Sequence, residues 1–336
     1  MRYSGFTYGL FFLLCAEIVL IGCDGNTSEQ KQSAAIQVTD FRGKKLALDK
    51  PAEKVVCLIE SALSGIYMLG KQDKVIGIPG DVYRGETWQR YSELDVRIRE
   101  KSLPTPGNWD FVSLEQVVSL EPDLVIIWSS QAQAIENIER FDIPVYAVMM
   151  HSLEDVFKEI EDLGKLLDAE NRAGEILGFT KDQLKTIAHD QTAESFKTAY
   201  FMWAQGINET SGQNSTVQGL LRYAGVKNVC DLHDEHATIN IEKLHDWDPD
   251  MIVMWYNEKL DPADVIENPL LQGLKAVREK QVYELPSAFD CDFWTLKFLY
   301  PVQLIHFWAY ANQDTTAKPD PEKLLRVLYN QSQSDE

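Results

Sequence analysis

Apolar and polar positions along this chain fall into two rhythms: short uninterrupted apolar runs, and longer stretches with apolar residues three or four apart. Val55 to Ile59, Val75 to Ile78, Leu124 to Ile127, Val145 to Val148, Thr198 to Trp203 and Val282 to Leu285 have the length of strands. In Leu124 to Ile127 the lack of alternation fits a parallel strand covered on both faces rather than an edge strand. Between the runs, Ala62 to Leu69, Trp88 to Lys101, Gln131 to Phe141, Val217 to Ala224, Asp261 to Val277, Leu296 to Ala311 and Glu322 to Leu328 read as helices. Gly70 and Gly225 close two of them. Ile36 to Thr39 and Lys44 to Leu48 flank the turn Asp40-Phe41-Arg42-Gly43, a hairpin in which Gly43 supplies the positive φ.

One helix-to-strand unit occurs twice. Ser113 to Trp128 reads SLEQVVSLEPDLVIIW and Asn240 to Trp255 reads NIEKLHDWDPDMIVMW, so Glu115, Pro122, Asp123 and Trp128 recur as Glu242, Pro249, Asp250 and Trp255. Ser113 and Gln116 form a capping pair, and Pro122 ends the helix. Two copies imply two similar α/β lobes with mainly parallel sheets. Ligands of such sheets sit beyond the carboxyl ends of the strands, which is where Trp128 and Trp255 stand.

Residues 151–191 differ in kind. Ser152 and Asp155 cap a helix, and Leu153, Val156, Phe157, Ile160, Leu163, Leu166 and Leu167 keep helical spacing that Ala173, Ile176, Leu177, Leu184 and Ile187 continue. The stretch predicts one long helical link between an N-terminal lobe, 36–150, and a C-terminal lobe, 192–336, with a break near Gly174 or Gly178. A helical link resists large hinge motions, so limited closure on ligand is expected.

The N-terminal residues add a location. Arg2, the apolar runs Leu10 to Leu14 and Ile18 to Ile21, and Leu20-Ile21-Gly22-Cys23 resemble a bacterial lipoprotein signal with its lipobox, although Glu17 interrupts the apolar segment. Phe11 to Gly22 is too short to span a bilayer well. Residues 1–22 are therefore read as a signal peptide, Cys23 as a lipidated N-terminus on the periplasmic side of the cell membrane, and 23–35 as a polar tether. Asp24 resembles the signal that keeps such proteins on the inner membrane of many Gram-negative bacteria.

With 336 residues and 45% hydrophobic content the chain can form two domains. Its formal charge of -20, from 52 acids against 32 bases, excludes a nucleic-acid partner. Cys57, Cys230 and Cys291 remain besides Cys23; Cys57 reads as core, and whether Cys230 and Cys291 pair is left open. Catalytic and nucleotide motifs are missing: no G-x-S-x-G, no H-E-x-x-H, no G-x-x-x-x-G-K-[ST], and the first strand-to-helix turn, Glu60 to Gly65, lacks the glycines a dinucleotide needs. His233-x-x-His236, with Asp234, Glu235 and His245, has ligand types for a metal but reads as a solvated loop. No metal, no cofactor and no enzymatic activity are assigned.

Aromatic placement points instead to ligand capture. Tyr83, Trp109, Trp128, Trp203, Trp255, Phe293 and Trp294 fall at or past strand ends, suited to a large, flat, partly apolar ligand, with Arg84 or Lys297 available to anionic groups. Tyr83, Arg84, Trp109, Trp128, Trp203, Trp255, Phe293 and Trp294 are the candidate ligand residues.

Residues 46–78, LALDKPAEKVVCLIESALSGIYMLGKQDKVIGI, then SLEQVVSLEPDLVIIW, LLRYAGVKNV and AVREKQVYELP, together resemble the binding proteins of ABC importers for ferric siderophores, haem and cobalamin. The resemblance covers essentially the whole chain after the signal. It implies two Rossmann-like lobes joined by one long helix, a monomer, and delivery of a corrinoid or ferric siderophore to a membrane permease driven by an ATPase. Trp109 and Trp128 occupy positions similar to two tryptophans that contact cobalamin in its binding protein, and 289–294 resembles another ligand-contacting segment. Where the family carries a glutamate on each lobe for permease arginines, this chain has Ser64 and Gly219, with Glu60 and Glu209 nearby. WTLKFLYPVQLIHFWA, near the C-terminus, is similar to relatives that bind molybdate or tungstate, which makes a small oxyanion the alternative ligand.

Overall fold

The computed structural model describes residues 36–189, 196–257, 259–311 and 317–331. The signal, lipobox and tether, Cys23 included, lie outside them. A hairpin of Ile36–Thr39 (β1) and Lys45–Leu48 (β2) comes first. Its turn places Gly43 at φ +80, and the Asp40 carboxylate accepts from Arg42 N and Lys44 N at 2.9 and 3.0 Å. The chain then enters Val55–Cys57 (β3), Glu60–Met68 (α1), Val75–Gly77 (β4), Gly85–Leu94 (α2), Val96–Arg99 (α3), Leu114–Ser119 (α4), Leu124–Trp128 (β5), Ala132–Glu139 (α5) and Val145–Val148 (β6). Residues 88–101 are thus two helices: Asp95 accepts from Arg97 N at 2.8 Å and starts the second. Residues 80–83 make a short 3-10 turn.

Next come Leu153–Leu166 (α6), Glu170–His189 (α7), Thr198–Met202 (β7), Glu209–Thr210 (β8), Thr216–Tyr223 (α8), Lys227–Asn228 (β9), Ala237–Thr238 (β10) and Ile241–Trp247 (α9). Met251–Met254 (β11), Pro262–Glu267 (α10), Lys275–Arg278 (α11), Val282–Glu284 (β12), Leu299–Tyr310 (α12) and Pro321–Leu328 (α13) complete the chain. The single helix expected over 261–277 is broken at Asn268, before a 3-10 turn at Pro269–Leu271.

Two four-stranded parallel sheets result, ordered β4-β3-β5-β6 and β9-β7-β11-β12. They have the same topology, as the duplicated unit requires. Both faces of the central strands are covered, which is why their runs are uninterrupted. Val55, Cys57, Leu124 and Ile126 face one core, and Val56, Val125 and Ile127 face another. In the second sheet Ala199, Phe201, Met251 and Val253 share that first core, while Tyr200, Met202, Ile252 and Met254 face outward to a third. A strand buried on both sides needs apolar residues at every position.

Equivalent residues of the repeat do equivalent work. Glu121 and Asp248 end α4 and α9 at φ +49 and +39. The aspartate that follows then pins the neighbouring strand: Asp123 accepts from Glu53 N and Lys54 N at 2.9 Å each, and Asp250 accepts from Thr198 N and Thr198 Oγ1 at 2.8 and 2.9 Å. Ser113 caps α4 through Gln116 N without a reciprocal box, whereas Ser152 with Asp155 and Asp261 with Asp264 form one.

The helical link is a pair of helices. It breaks at residues 167–169, where Asp168 adopts φ +58, rather than at Gly174 or Gly178. From there α7 folds back along α6, so that Lys181 lies 5.2 Å above the Phe157 ring. The 20-residue α7 carries the chain to the second sheet. The end of the chain then returns to the first lobe. Tyr329 OH meets Ser64 Oγ at 2.6 Å, Arg172 donates to Leu328 O at 3.0 Å, and Arg90 joins Asp290 and Glu322 at 2.9 and 3.0 Å. Residues 287–298 and 321–331, which sequence order assigns to the C-terminal lobe, therefore tie the two lobes together, over a core that runs through both.

Candidate functional site

The carboxyl ends of β3, β4, β5 and β6 face those of β11 and β12 across a crevice made of two adjoining cavities of about 320 and 600 Å3 that share Trp109, Trp128 and Trp294. Its floor is formed by Glu60 and Ser61 after β3, Pro79 and Asp81 after β4, Trp255 after β11, and Phe289 and Asp292 after β12. The mouth adds Ser130, Met149, Met150, His151 and, from the second lobe, Glu235. A larger cavity of about 760 Å3 lies between α7, α12 and α13, away from the carboxyl ends of the strands.

Four of the eight candidate residues meet in this crevice: Trp109, Trp128, Trp255 and Trp294. Trp128 and Trp255 are there because each closes its repeat. Trp109 is carried on a loop built to hold it: Asn108 Oδ1 accepts from Asp110 N and Phe111 N at 2.9 and 3.0 Å, and Gln131 Nε2 donates to Asn108 O at 3.0 Å. Gly107 permits the turn, since a Cβ there would stand 2.5 Å from Phe111 O. The indole itself is 65% exposed.

The other four candidates line neither cavity. Trp203 and Phe293 are buried behind Trp255, their ring centres 5.6 and 4.7 Å from it, and Trp203 Nε1 donates to Ser211 Oγ at 2.8 Å. They support the crevice wall. Tyr83 is spent on the backbone, its hydroxyl donating to Leu103 O at 2.9 Å and accepting from Leu103 N at 3.1 Å. Arg84 points to solvent beside Asp81 at 3.3 Å. Lys297 is not open to an anion either: it is fully buried, with Nζ 3.6 Å from the centre of the Phe289 ring.

None of the crevice's polar residues is among the eight candidate ligand residues. Glu60, Ser61, Asp81, Asp292, His151 and Glu235 are ordinary residue types in unremarkable contexts; only the rule that strand ends face the ligand points to Glu60, Ser61 and Asp81. Burial pushes the Asp292 carboxyl up from its ordinary range against the opposing pull of Lys297, 3.7 Å away. Burial likewise raises Glu235, which Thr216 Oγ1 partly offsets by donating to it at 3.1 Å. Lys297 keeps its proton despite burial, because Tyr329, Glu60 and Asp292 surround it.

Among the described residues no group of three or more histidines, cysteines or carboxylates is placed to hold a metal. The His236 ring packs against Trp203 at 5.0 Å. Cys57, Cys230 and Cys291 are all buried free thiols, so Cys230 and Cys291 do not pair. Ser64 and Gly219 are buried too, Gly219 so closely that a Cβ would lie 3.0 Å from Leu153. No helix of the described residues is long and apolar enough to cross a membrane.

Residues 55–289 match the family model described as periplasmic binding protein. The chain is 27% identical over 291 residues to an uncharacterized ABC transporter substrate-binding lipoprotein, YvrC, of Bacillus subtilis, covering 81% of this chain and 87% of that protein. It is 24% identical over 244 residues to a vitamin B12-binding protein of Vibrio parahaemolyticus, covering 71% and 83%. A crystal structure of Helicobacter pylori CeuE in a Ni-His complex superposes with a TM-score of 0.73 at 21% identity, over 89% of this chain and 97% of that one.

Proposed function

Since the chain belongs to the periplasmic binding protein family, a family of transport binding proteins and not of enzymes, we propose that it captures a metal chelate for an ABC importer. The chelate is of the corrinoid or ferric-siderophore type, held between the lobes and passed to a membrane permease and its ATPase. One observation carries this reading: indoles from both lobes, Trp109, Trp128, Trp255 and Trp294, converge on a single crevice. Indole faces bind broad, partly apolar surfaces, and a combined volume near that of a large organic ligand suits a chelate. The relatives named for ABC transport and vitamin B12 binding agree with it.

Cys23 would carry the lipid that holds the protein to the outer face of the cell membrane. Docking to the permease cannot use Ser64 or Gly219, which are buried, so it must use other surface groups. A small oxyanion is the weaker ligand: capture of one needs convergent N–H and hydroxyl donors or a cation, whereas this lining is mostly indole and other apolar surface, with Glu60, Asp81 and Asp292 as its charged residues.

Titration of tryptophan fluorescence tests the proposal. Cobalamin or a ferric siderophore should quench emission saturably, and Trp128→Ala or Trp255→Ala should weaken binding about tenfold or more, as loss of a buried aromatic anchor does. Saturation by molybdate alone would overturn it.

A further inference from the structure

Apolar packing does not fix the loop that carries Trp109. Trp109 and Phe111 are each 65% exposed, and Asp110 between them faces solvent. An exposed turn of this kind ordinarily samples several backbone conformations, because burial is what holds most loops in one. Hydrogen bonds hold this one instead, and they converge on a single residue. Asn108 makes five: its Oδ1 accepts from Asp110 N and Phe111 N at 2.9 and 3.0 Å, its N donates to Phe111 O at 2.8 Å, its O accepts from Gln131 Nε2 at 3.0 Å, and its Nδ2 donates to Asp81 Oδ2 at 3.2 Å. The first three close the turn on itself. The other two fasten it to the start of α5 and to the turn after β4. Below it, Gly80 N donates to Gly107 O at 3.1 Å and Ser113 N to Pro106 O at 2.7 Å, so the stem is anchored as well. Asn108 itself lines neither cavity of the crevice.

We propose that Asn108 is a positioning residue for ligand capture: it holds the Trp109 indole at the crevice in the free protein, so that a chelate meets a preformed surface and binding need not order the loop. The inference rests on chelate capture at this crevice and adds a residue that acts only through Trp109. An indole that occupies its ligand-ready place part of the time weakens the apparent affinity by that fraction. The fraction belongs to the free protein. The loss is therefore the same for every cargo that uses Trp109, whereas loss of a direct contact differs from cargo to cargo. Asn108→Ala removes three of the five bonds, those of Oδ1 and Nδ2. The N–H groups of Asp110 and Phe111 that it releases lie at the surface, where water satisfies them, so the turn loosens while the fold survives.

Isothermal titration of the wild type, Asn108→Ala, Trp109→Ala and the double variant, with cyanocobalamin, ferrioxamine B and ferric enterobactin as probes, decides this. Asn108→Ala should weaken every probe that binds by a common factor of about 5 to 20. In the Trp109→Ala background the same change should weaken binding by no more than about twofold, since nothing is left to position. Gln131→Ala, which cuts the tie to Asn108 O, should act in the same direction and carries the comparison should Asn108→Ala fail to fold, which circular dichroism checks. A reading without ligand runs beside it. With fluorotryptophan in place of the eight tryptophans, the fluorine resonance missing from Trp109→Ala identifies that indole, and Asn108→Ala should shift it while leaving those of the distant Trp247 and Trp308 in place. Unchanged affinity in Asn108→Ala, factors that differ between probes by more than about threefold, or an equal loss with and without Trp109 overturns the positioning role. If no probe binds the wild type, chelate capture falls and the fluorine spectrum judges Asn108: an unmoved Trp109 resonance overturns its role, and a moved one upholds it.

Discussion

Replacing Glu159 with glutamine changes one atom at the junction of the lobes and should change how stability depends on pH. Glu159 sits on α6, 1% exposed, with Oε1 unpartnered. Burial, and then Asp292 and Asp162, push its carboxyl up from the ordinary 4.5 to about 8, against a smaller pull from Lys158. Between those two pH values the folded chain holds the proton and the unfolded chain does not. Unfolding therefore releases a proton in that window, and stability declines as pH rises from 4.5 towards 8. At about 1.36 kcal/mol per pH unit the full interval bounds the loss at about 5 kcal/mol. Relaxation and water entry around the charged form bring the expectation to about 2 to 3 kcal/mol. Glutamine resembles the protonated acid, so urea unfolding at pH 5 should place Glu159→Gln within about 1 kcal/mol of the wild type. At pH 9 the variant should be the more stable by about 2 to 3 kcal/mol. Parallel pH profiles, or a variant less stable than wild type at pH 9, would refute the reasoning.

Asp123→Ala and Asp250→Ala each remove a carboxylate that fastens the entry of a neighbouring strand, and each should lower the stability read from urea midpoints by about 1 to 3 kcal/mol. Asp250→Ala should cost the more, because it also frees Lys275 Nζ, now 2.6 Å from Oδ1. Ligand should close the crevice only slightly, since Glu86 to Ser287 at 2.7 Å and Arg90 to Asp290 at 2.9 Å already bridge the lobes. Small-angle scattering with and without ligand checks this, and a fall in radius of gyration beyond about 1 Å contradicts it.

The repeat shows how far local pattern reaches. Pro122 and Pro249, the aspartates after them and the apolar runs that follow all act within a few residues of themselves, so their roles in ending a helix and entering a buried strand are written in the chain. The parallel topology and the twin lobes follow from the same pattern. Trp128 and Trp255 come with it, because a residue that closes such a strand stands at the ligand edge of its sheet. Where the helical link breaks was less legible. Asp168 adopts the left-handed conformation that a nearby glycine would take at lower cost, and the packing of α7 on α6 offsets the difference.

Periodicity and composition, then, determined the elements, the duplication and the acid excess of this protein, all properties that a residue carries with its neighbours in sequence. Tertiary structure decided the rest, because it depends on residues far apart in the chain. Trp203 and Phe293 became wall rather than surface only because Trp255 stands in front of them. Tyr83 was drawn to the backbone at Leu103, and Tyr329 to Ser64 across most of the chain. Lys297 is buried with Nζ 3.6 Å from the centre of the Phe289 ring and 3.7 Å from Asp292 Oδ2, a setting assembled from three separate points of the chain's last lobe. Burial and hydrogen-bond satisfaction are properties of a completed core, and no stretch of this sequence contains them until α13 has packed back against the first lobe.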